Sequence, residues 1–381
     1  MDFCRKEKLF RTERLVDTNG IGGKSFMQKK MFAENGNWYK GNLHAHTINS
    51  DGKLTPEQSV LTYKQHGYSF LCLSEHDYYT DLREQLDEKD FILLPGLEAS
   101  VCLVDSSGMD MDIKEVTEGK GYLDMTREEL WENFRKKGKI RMLKTHHIHG
   151  ILGNKTMQKA AGEKCFKDNE HTPVRVYFDT WEGRKAAQDL SDSLKKRGCF
   201  TTYNHPIWSR VDVEEVRDLE GIWAMEIYNY ATVNECGEGE DTVFWDAMLR
   251  NKNAVFAFAS DDNHNGGIYP ESFGGYVMVN AEKLTHEDIV NALLEGNYYS
   301  SNGVQINRWG VKEDKVYVEC AKGKRINFIF GGGVGSSRTI VAENGIPLTY
   351  VECPIQGNET YVRIEVIDEN EKRAWTNPVI L

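Results

Sequence analysis

The sequence lacks a long apolar run and the features of a secretory leader. Its longest clear apolar run, Ala254 to Ala259, is far shorter than the roughly 18 residues that a membrane-spanning helix needs. The first forty residues scatter basic side chains among apolar ones and contain neither a compact apolar region nor a small-residue cleavage site. We therefore expect a cytoplasmic protein that is neither inserted in a membrane nor exported.

Closely spaced cysteine pairs are also absent. The eight cysteines lie far apart along a chain of 381 residues, and none of them belongs to a Cys-x-x-Cys pair. This spacing argues against a disulfide scaffold and against a thiolate zinc site. It is typical of reduced thiols in a cytosolic protein.

Positive charge is scarce, because 47 lysines and arginines stand against 59 aspartates and glutamates and give a net charge of −12. A surface of this sign repels a phosphate backbone at long range, so we do not expect a nucleic-acid polymer as a partner. Bound cations can still make one pocket locally positive, which allows a small anionic substrate. The sequence gives no indication of the oligomeric state.

Internal repeats and low-complexity tracts are lacking too, so the fold is predicted from alternating strand and helix signals. Capping signals, as at Thr55 with Gln58 and at Thr126 with Glu129, mark helices between the strands. This alternation predicts parallel strands, in a barrel or in an open doubly wound sheet. The predicted buried strands are Leu43–His46, Phe70–Leu73, Phe91–Leu94, Ile140–Leu143, Cys199–Tyr203, Ala224–Tyr228 and Ala254–Ala259.

The pattern changes after about Gly303, where helix signals cease. Val316–Val318, Ile326–Phe328 and Tyr361–Ile367 alternate apolar and polar side chains, as strands with one buried face do. We therefore predict that residues 303–381 form a small β-sandwich.

Histidine and acidic residues gather at the ends of the predicted strands. His44 and His46 flank one residue at the end of the first strand, so strand alternation puts both imidazoles on one face. Because the carboxyl ends of parallel strands converge, nine nitrogen and oxygen donors should meet in one pocket. Imidazole with carboxylate suits Zn, Mn or Fe, whereas calcium prefers oxygen alone. The nine candidate ligands are His44, His46, Asp51, His76, Glu98, His147, His205, Asp262 and His264.

Each motif alone has an ordinary structural explanation. A lone His-x-His is more often a half-exposed strand pair, and Ser50-Asp51-Gly52 is first of all a turn signal. A His-Pro dipeptide such as His205-Pro206 is usually a turn as well. The joint occurrence of ligand-type residues at six strand ends is what favours a metal site.

In their order along the chain, these motifs resemble those of the polymerase and histidinol phosphatase (PHP) superfamily, over about residues 38 to 300. The chain also resembles the branch in which a PHP domain precedes a C-terminal β domain, as in carbaryl-hydrolase-like metallohydrolases. The motifs are His44-Ala45-His46, Ser50-Asp51-Gly52, Glu75-His76-Asp77, Gly96-Leu97-Glu98, Asn204-His205-Pro206 and Asp262-Asn263-His264.

The resemblance implies a distorted seven-stranded (β/α) barrel over residues 38–302, after an N-terminal extension of residues 1–37 and before the β-sandwich. It implies two or three divalent metal ions, with Zn, Mn or Fe as candidates. This chain departs from the pattern in two insertions, near residues 99–145 and 150–185, and we expect the first to act as a lid or side wall. By analogy, one ion would be held by His44, His46, Glu98 and Asp262, a second by Glu98, His147 and His205, and a third by Asp51, His76 and His264.

The resemblance also implies a metal-dependent phosphoesterase that hydrolyses a small phosphorylated metabolite or nucleotide through a hydroxide bridging two ions. Asp262 or Asp77 would relay a proton. Arg210 would contact the anionic substrate, although a loop arginine is more often a surface residue. A carbamate, amide or ester hydrolase at the same ions, and a metal-binding module without turnover, are the alternatives.

The fourth strand contains three candidate ligands. If Lys144 to His149 is one strand, His147 and His149 share a face and His146 lies on the other. The resemblance selects His147, because the fourth motif of the family is a histidine followed by two residues and a glycine, as in His147-Ile148-His149-Gly150. His149 is then expected either near the rim, in contact with a metal ligand or the substrate, or simply as a packed strand histidine.

Overall fold

The computed structural model describes residues 29–32, 36–109, 112–137 and 141–381, which form a mixed α/β structure as predicted. The predicted N-terminal extension lies almost entirely outside the described residues. None of the helices in the described ranges is both long enough and apolar enough to span a membrane.

The helices begin where the capping signals predict. The side chain of Thr55 accepts a hydrogen bond from the Gln58 backbone, and the Gln58 side chain accepts one from the Thr55 backbone. Thr126 and Glu129 form the same reciprocal pair. The helices are α1 (Pro56–Gln65), α2 (Arg83–Leu86), α3 (Ile113–Val116), α4 (Arg127–Lys137), α5 (Lys155–Ala161), α6 (Gly183–Lys195), α7 (Val213–Val216), α8 (Tyr230–Cys236), α9 (Thr242–Arg250) and α10 (His286–Glu295).

The strands fall into two series, one before and one after the last helix. The first series is β1 (Lys29–Lys30), β2 (Asn37–Asn42), β3 (Phe70–Leu73), β4 (Tyr78–Tyr79), β5 (Ile92–Asp105), β6 (Tyr122–Met125), β7 (Arg141–Leu152), β8 (Glu170–His171), β9 (Val174–Phe178), β10 (Cys199–Tyr203), β11 (Ala224–Asn229), β12 (Phe256–Ser260) and β13 (Tyr276–Ala281). The second series is β14 (Tyr298–Ser301), β15 (Ile306–Lys312), β16 (Lys315–Gly323), β17 (Arg325–Gly331), β18 (Arg338–Val341), β19 (Leu348–Pro354), β20 (Tyr361–Ile367), β21 (Arg373–Thr376) and β22 (Val379–Ile380).

Seven strands lie side by side in the order β12-β11-β10-β7-β5-β3-β2. The two ends of this row meet just beyond β2 and β12, where Ala45 and Asn263 form a parallel bridge. There the Asp262 amide donates to the His44 carbonyl at 2.9 Å, and the His46 amide donates to the Asn263 carbonyl at 3.1 Å. The first and last ligand motifs of the sequence are therefore joined through their backbones.

Two strands of the row are longer than predicted, and one runs the other way. β5 reaches Asp105 and β7 reaches Leu152, so Glu98 and His147 lie within strands rather than just after them. β7 is antiparallel to both β5 and β10, so the prediction of parallel strands is wrong for it. An antiparallel strand pair needs no crossover helix. The polar residues between Lys144 and His149 make this strand hard to recognise from the sequence, although it is buried on both faces.

The far halves of β5 and β7 extend into what we call the side lobe, which also contains β6, β9, α3 and α4. There β9 pairs parallel to β5 and β6 pairs antiparallel to β9. The two predicted insertions supply this lobe. Its own apolar cluster contains Cys102, Val104, Leu130, Val174, Val176 and Phe178.

The residues after β14 form strands and loops, as the change of pattern predicts. β15, β16 and β19 make a sheet with β1, while β21, β20, β17 and β18 extend the large sheet beyond β14. Trp309 and Val316 from the first sheet and Phe328 and Ile364 from the second belong to one apolar cluster. Hydrogen bonding crosses the predicted domain boundary near residue 303, because β14 pairs with β21.

A buried ion pair fixes the C-terminal strands to the α/β part of the chain. Arg363 on β20 donates from Nε and from Nη2 to the two carboxylate oxygens of Asp246 on α9, both at 2.9 Å. The guanidinium also lies over the ring of Trp245, 4.5 Å from its centroid. This bidentate geometry is the strongest form of a charge-assisted hydrogen bond between side chains.

We predict that Asp246→Ala lowers the free energy of unfolding by about 3 kcal/mol, because it leaves a buried guanidinium without its counter-ion. Adding Arg363→Met removes the stranded charge and should recover much of the loss. Denaturant unfolding of both variants measures the two effects. A double variant as unstable as the single one would show that the charge pair is not the cause.

Candidate metal centre

The carboxylate of Glu98 lies at the centre of the site. Its backbone is held in place because the Asp77 amide donates to the Glu98 carbonyl at 2.7 Å and the Glu98 amide donates to the Glu75 carbonyl at 2.9 Å. The carboxylate is fully buried and is surrounded by six imidazoles, the most distant being that of His149, whose Nε2 lies 4.0 Å from Oε1. Oε1 lies 3.3 Å from His44 Nε2 and 3.2 Å from His205 Nε2, while Oε2 lies 3.1 Å from His76 Nδ1, 3.4 Å from His147 Nδ1 and 3.6 Å from His46 Nε2.

Asp262 completes the inner group from the other end of the strand row. Its Oδ1 lies 2.9 Å from His44 Nε2 and 3.1 Å from His46 Nε2. Its Oδ2 accepts a hydrogen bond from Asn229 at 2.9 Å. The backbone of Asp262 has a φ of +53°, which is costly for a non-glycine residue and recurs at functional sites. The four residues predicted for the first ion therefore lie together.

Asp51 is the centre of an outer group. Its Oδ1 lies 3.2 Å from His264 Nε2 and 3.6 Å from His76 Nε2, so the three residues predicted for the third ion also meet. His46 also belongs to this outer group. Each of its four members offers a ligand atom within 4.8 Å of the others; they are His46, Asp51, His76 and His264.

The inner and outer groups are linked through His76, which turns Nδ1 to Glu98 and Nε2 to Asp51. The predicted second set, Glu98 with His147 and His205, is also brought together. Its tightest grouping differs from the prediction, because His76, Glu98 and His147 form one close triad and His205 falls in another with His44 and Glu226. All nine candidate ligands thus surround one connected space.

Several buried atoms in this space have no hydrogen-bond partner. Such atoms are rare in folded proteins, because an unpaired buried polar atom costs about 1–3 kcal/mol. They lie instead among other ligand-type atoms, which the structure brings within 4.8 Å of one another in overlapping groups. A set of imidazole nitrogens and carboxylate oxygens of this kind fits divalent transition-metal ions. The unpaired atoms are Asp51 Oδ1, His76 Nδ1, Glu98 Oε2, His147 Nδ1 and Asp262 Oδ1.

Burial and mutual charge shift the pKa values of these groups. Burial opposes the charge of His205, but the hydrogen bond and charge of Glu98 raise its pKa to about 9. Burial likewise opposes the charge of His264, and Asp51 raises its pKa to about 9. Against burial, the neighbouring imidazoles hold the pKa values of Glu98 and Asp262 well below their usual range. Protonated histidines therefore balance the carboxylates when no cation is bound.

The sequence motifs do not include Glu226, which lies fully buried on β11 behind His44. Its Oε1 is 2.8 Å from His44 Nδ1, and its Oε2 accepts hydrogen bonds from the His205 amide at 2.9 Å and from Asn229 at 3.1 Å. A carboxylate at the far ring nitrogen orients a metal-binding imidazole. One feature of the sequence points to Glu226: it is a single glutamate within an apolar strand, and a buried glutamate must find a polar partner.

Arg127, the first residue of α4, is the other site residue that the motifs do not include. Its Nη2 lies 3.4 Å from Asp51 Oδ2 and its Nη1 lies 3.4 Å from Asp77 Oδ2. Asp77, predicted as a proton relay, also accepts hydrogen bonds from the backbone of Ser100 at 2.7 Å and from its hydroxyl at 3.0 Å. Burial raises the pKa of Asp77.

A cavity of about 720 Å³ opens beside the outer group, within the usual range for small-molecule sites. Asp51, His76 and Asp77 form one part of its wall, and Thr126, Arg127 and Trp131 of the side lobe form another. The side-wall role expected of the first insertion therefore agrees with the position of α4.

Three residues near the site differ in how well the sequence places them. Arg210, predicted as an anion contact, has a side chain that is 63% exposed. Its Nη1 lies 2.8 Å from Glu238 Oε1, so the guanidinium pairs with Glu238 rather than with the candidate metal ligands. His149 is fully buried within β7, with its ring centroid 4.2 Å from that of His44, so of the two alternatives it is the packed strand histidine and not a rim residue. β7 continues past it to Leu152, which places His149 deeper than His147. His146 lies on the opposite face, as alternation predicts, and bonds to Tyr203.

We predict that Glu226→Gln weakens metal binding by about 10-fold to 100-fold, because it removes the charge that orients and polarises His44. Competition with a chromophoric chelator measures the affinity. Glu359→Gln is a matched control, since Glu359 is also buried but accepts its hydrogen bonds from the backbone amides of Gln356, Gly357 and Asn358. Equal affinities in Glu226→Gln and the parent protein would rule out this role.

A second prediction concerns pH. Because the pKa values of His205 and His264 rise from 6.5 to about 9 on folding, the stability they give the metal-free protein is complete below pH 6.5 and is lost as the pH rises through about 9. Metal ions need neutral imidazoles, so metal affinity should rise over the same range. Thermal melting and metal titration at pH 6.5 and 9 test both signs, and a metal-free protein equally stable at the two values would refute the assignment.

No protein-family model and no curated protein matches this chain. Two solved structures resemble it. A two-domain protein from Bacteroides vulgatus, described as containing a predicted PHP-like metal-dependent phosphoesterase, covers 94% of this chain and 100% of its own at 12% identity and a TM-score of 0.41. The second is a protein from Bifidobacterium adolescentis that is described as an inferred metal-dependent phosphoesterase. The match covers 67% of this chain and 95% of that protein, at 14% identity and a TM-score of 0.36. No residue role follows from likenesses at these scores, and neither bears on the carbaryl-hydrolase-like branch.

Proposed function

We propose that this protein is a metal-dependent phosphoesterase of the PHP type that hydrolyses a small phosphorylated metabolite or nucleotide. The observation that carries the proposal is the convergence of nine ligand-type side chains around Glu98, with five of their buried atoms left without hydrogen-bond partners. The proposal includes the architecture: the row of seven strands is a distorted barrel, and the strands after β14 form a β-sandwich beside it.

The ligands divide into three sets in this proposal. Two or three divalent ions, Zn, Mn or Fe, would lower the pKa of bound water to about 7 and neutralise the charge of a phosphoryl group. Glu98 faces both the inner residues and His147, so it is the proposed bridging ligand. One ion is assigned to His44, His46, Glu98 and Asp262, a second to Glu98, His147 and His205, and a third to Asp51, His76 and His264.

Other side chains of the protein hold the proposed ligands in orientation. Glu226 accepts from His44 Nδ1, and Ser209 Oγ lies 3.1 Å from His205 Nδ1. Ser50 Oγ lies 3.4 Å from His46 Nδ1, at the long end of a hydrogen bond. Each of these rings thus has a polar partner at one nitrogen, and its Nε2 faces the cluster.

Asp77 is the better placed of the two proposed proton relays. Asp262 is already committed to His44, His46 and Asn229. Asp77 lines the cavity beside Arg127, so a leaving alcohol bound in the cavity can reach its carboxyl group. Arg127 beside it favours an anionic substrate over a neutral ester, which is why a phosphoester is proposed over a carbamate or amide.

We propose the cytoplasm as the compartment. The seven cysteines of the described ranges are all free thiols, which accords with a reducing environment.

The bond class is tested by assaying the metal-loaded protein on nitrophenyl phosphate, bis-nitrophenyl phosphate and nitrophenyl acetate. We expect hydrolysis of at least one phosphate ester, abolished by a chelator, and little hydrolysis of the acetate. Turnover of the acetate alone would favour the alternative hydrolase. No turnover in a preparation that carries its metals would favour a binding module.

A matched pair of variants on one strand tests the ligand assignment. His147→Gln should lose about one metal equivalent and nearly all activity, because His147 Nδ1 faces Glu98 at 3.4 Å. His146→Gln changes the neighbouring buried histidine on the opposite face and should keep its metals. Elemental analysis with the phosphatase assay decides, and metal loss in His146→Gln but not in His147→Gln would mean that the register of β7 is wrong.

A further inference from the structure

We infer that Arg127, supplied by the side lobe, binds the phosphoryl group of the substrate, and that the rings around it select a phosphate ester whose leaving group carries a flat ring, such as a nucleotide. This inference rests on the proposed function and specifies its substrate class. It is carried by the position of Arg127 between the metal cluster and the cavity.

Arg127 is the only arginine or lysine among the residues that line the described cavity. Its side chain is 15% exposed, so a ligand in the cavity can reach it while the surrounding protein limits its motion. Arginine stays charged at all relevant pH values and presents its donors in a plane that suits phosphate oxygens.

The contacts of Arg127 leave room for an anion. Its Nη atoms lie 3.4 Å from Asp51 and from Asp77, which is longer than the 2.7–2.9 Å typical of a strong ion pair. A guanidinium has five N–H donors, and these two long contacts do not use all of them. A phosphoryl oxygen can therefore join or replace them.

The two oxygens of Asp51 connect this arginine to the proposed metal site. Oδ1 faces His76 and His264, whereas Oδ2 faces Arg127. An anion attracted by a cation that these outer residues would hold is thus a neighbour of the guanidinium. One phosphoryl group can be neutralised from both directions, which is the arrangement that phosphoryl transfer requires.

Aromatic side chains make up much of the rest of the wall. The rings of Tyr78 and His171 lie against each other with centroids 4.3 Å apart. Trp131 lies one helical turn beyond Arg127, and the guanidinium sits 5.6 Å from its ring centroid. Flat rings bind well against such surfaces, and a stacked pair contributes about 0.5–1.5 kcal/mol beyond its buried area.

Arg127 also has a possible structural role, in which it only clamps α4 to the strands through Asp51 and Asp77. A clamp predicts that its loss lowers stability and metal content. An anion-binding residue predicts that its loss weakens phosphate binding while stability and metal content stay the same.

The test uses the full-length, metal-loaded protein with Arg127→Gln and with Arg127→Lys, which keeps the charge but not the planar donors. Isothermal titration with inorganic phosphate should give an affinity about tenfold weaker for the glutamine variant and an intermediate value for the lysine variant. KM for nitrophenyl phosphate should rise more than kcat falls. Metal stoichiometry and melting temperature should not change.

Arg175→Gln is the matched control. Arg175 also belongs to the side lobe, pairs with Asp124 and lies over the ring of Tyr122, but it does not line the cavity. Its variant should bind phosphate as the parent protein does. Equal phosphate binding by Arg127→Gln and Arg175→Gln, or loss of metal in both Arg127 variants, would overturn the inference.

Trp131→Leu tests the preference for a ring. We expect kcat/KM to fall about fivefold for a nucleoside monophosphate and to stay unchanged for glycerol phosphate. Equal effects on both substrates would remove the ring preference and leave the anion contact. The proposed function fails separately, if the parent protein hydrolyses no phosphate ester; the phosphate titration still decides the role of Arg127 in that case.

Discussion

The site depends on one buried carboxylate that faces six imidazoles. Glu98 is fully buried, and an ionised carboxylate is stable there only if positive charge surrounds it. Protons on His44 and His205, whose pKa values are raised by the carboxylates around them, can supply that charge, and so can bound cations. Protons and metal ions would compete for the same side chains in this space, so the proposed metal binding is tied to pH and to stability.

The backbone explains why residues so distant in sequence reach Glu98. The ends of the seven-strand row meet between Ala45 and Asn263, which joins the first and last motifs. Glu98 itself lies in a long strand, with the segment of His76 on one edge and β7 on the other. The candidate ligands thus lie on or beside the strand row, whereas the side lobe contributes part of the cavity wall and Arg127, the proposed anion contact.

The sequence predicts which candidate ligands lie together better than it predicts the strands and side chains around them. Motifs such as His44-Ala45-His46 depend on local spacing, and local spacing survives in the structure. The direction of β7 and the depth of His149 depend on how an insertion folds back, which no local pattern encodes. Arg127 meets Asp51 across 76 positions of the chain, and Glu226 meets His44 across 182, so neither pair has a signature in the sequence.

The central claim is that Glu98 bridges two metal ions. Anomalous diffraction from crystals of the metal-loaded protein, recorded on both sides of the metal absorption edge, tests it directly. The account predicts two peaks, each about 2.0–2.2 Å from a different oxygen of Glu98, with His44 or His46 near one and His147 near the other. A protein that holds its full complement of metal with no peak beside Glu98 would contradict it.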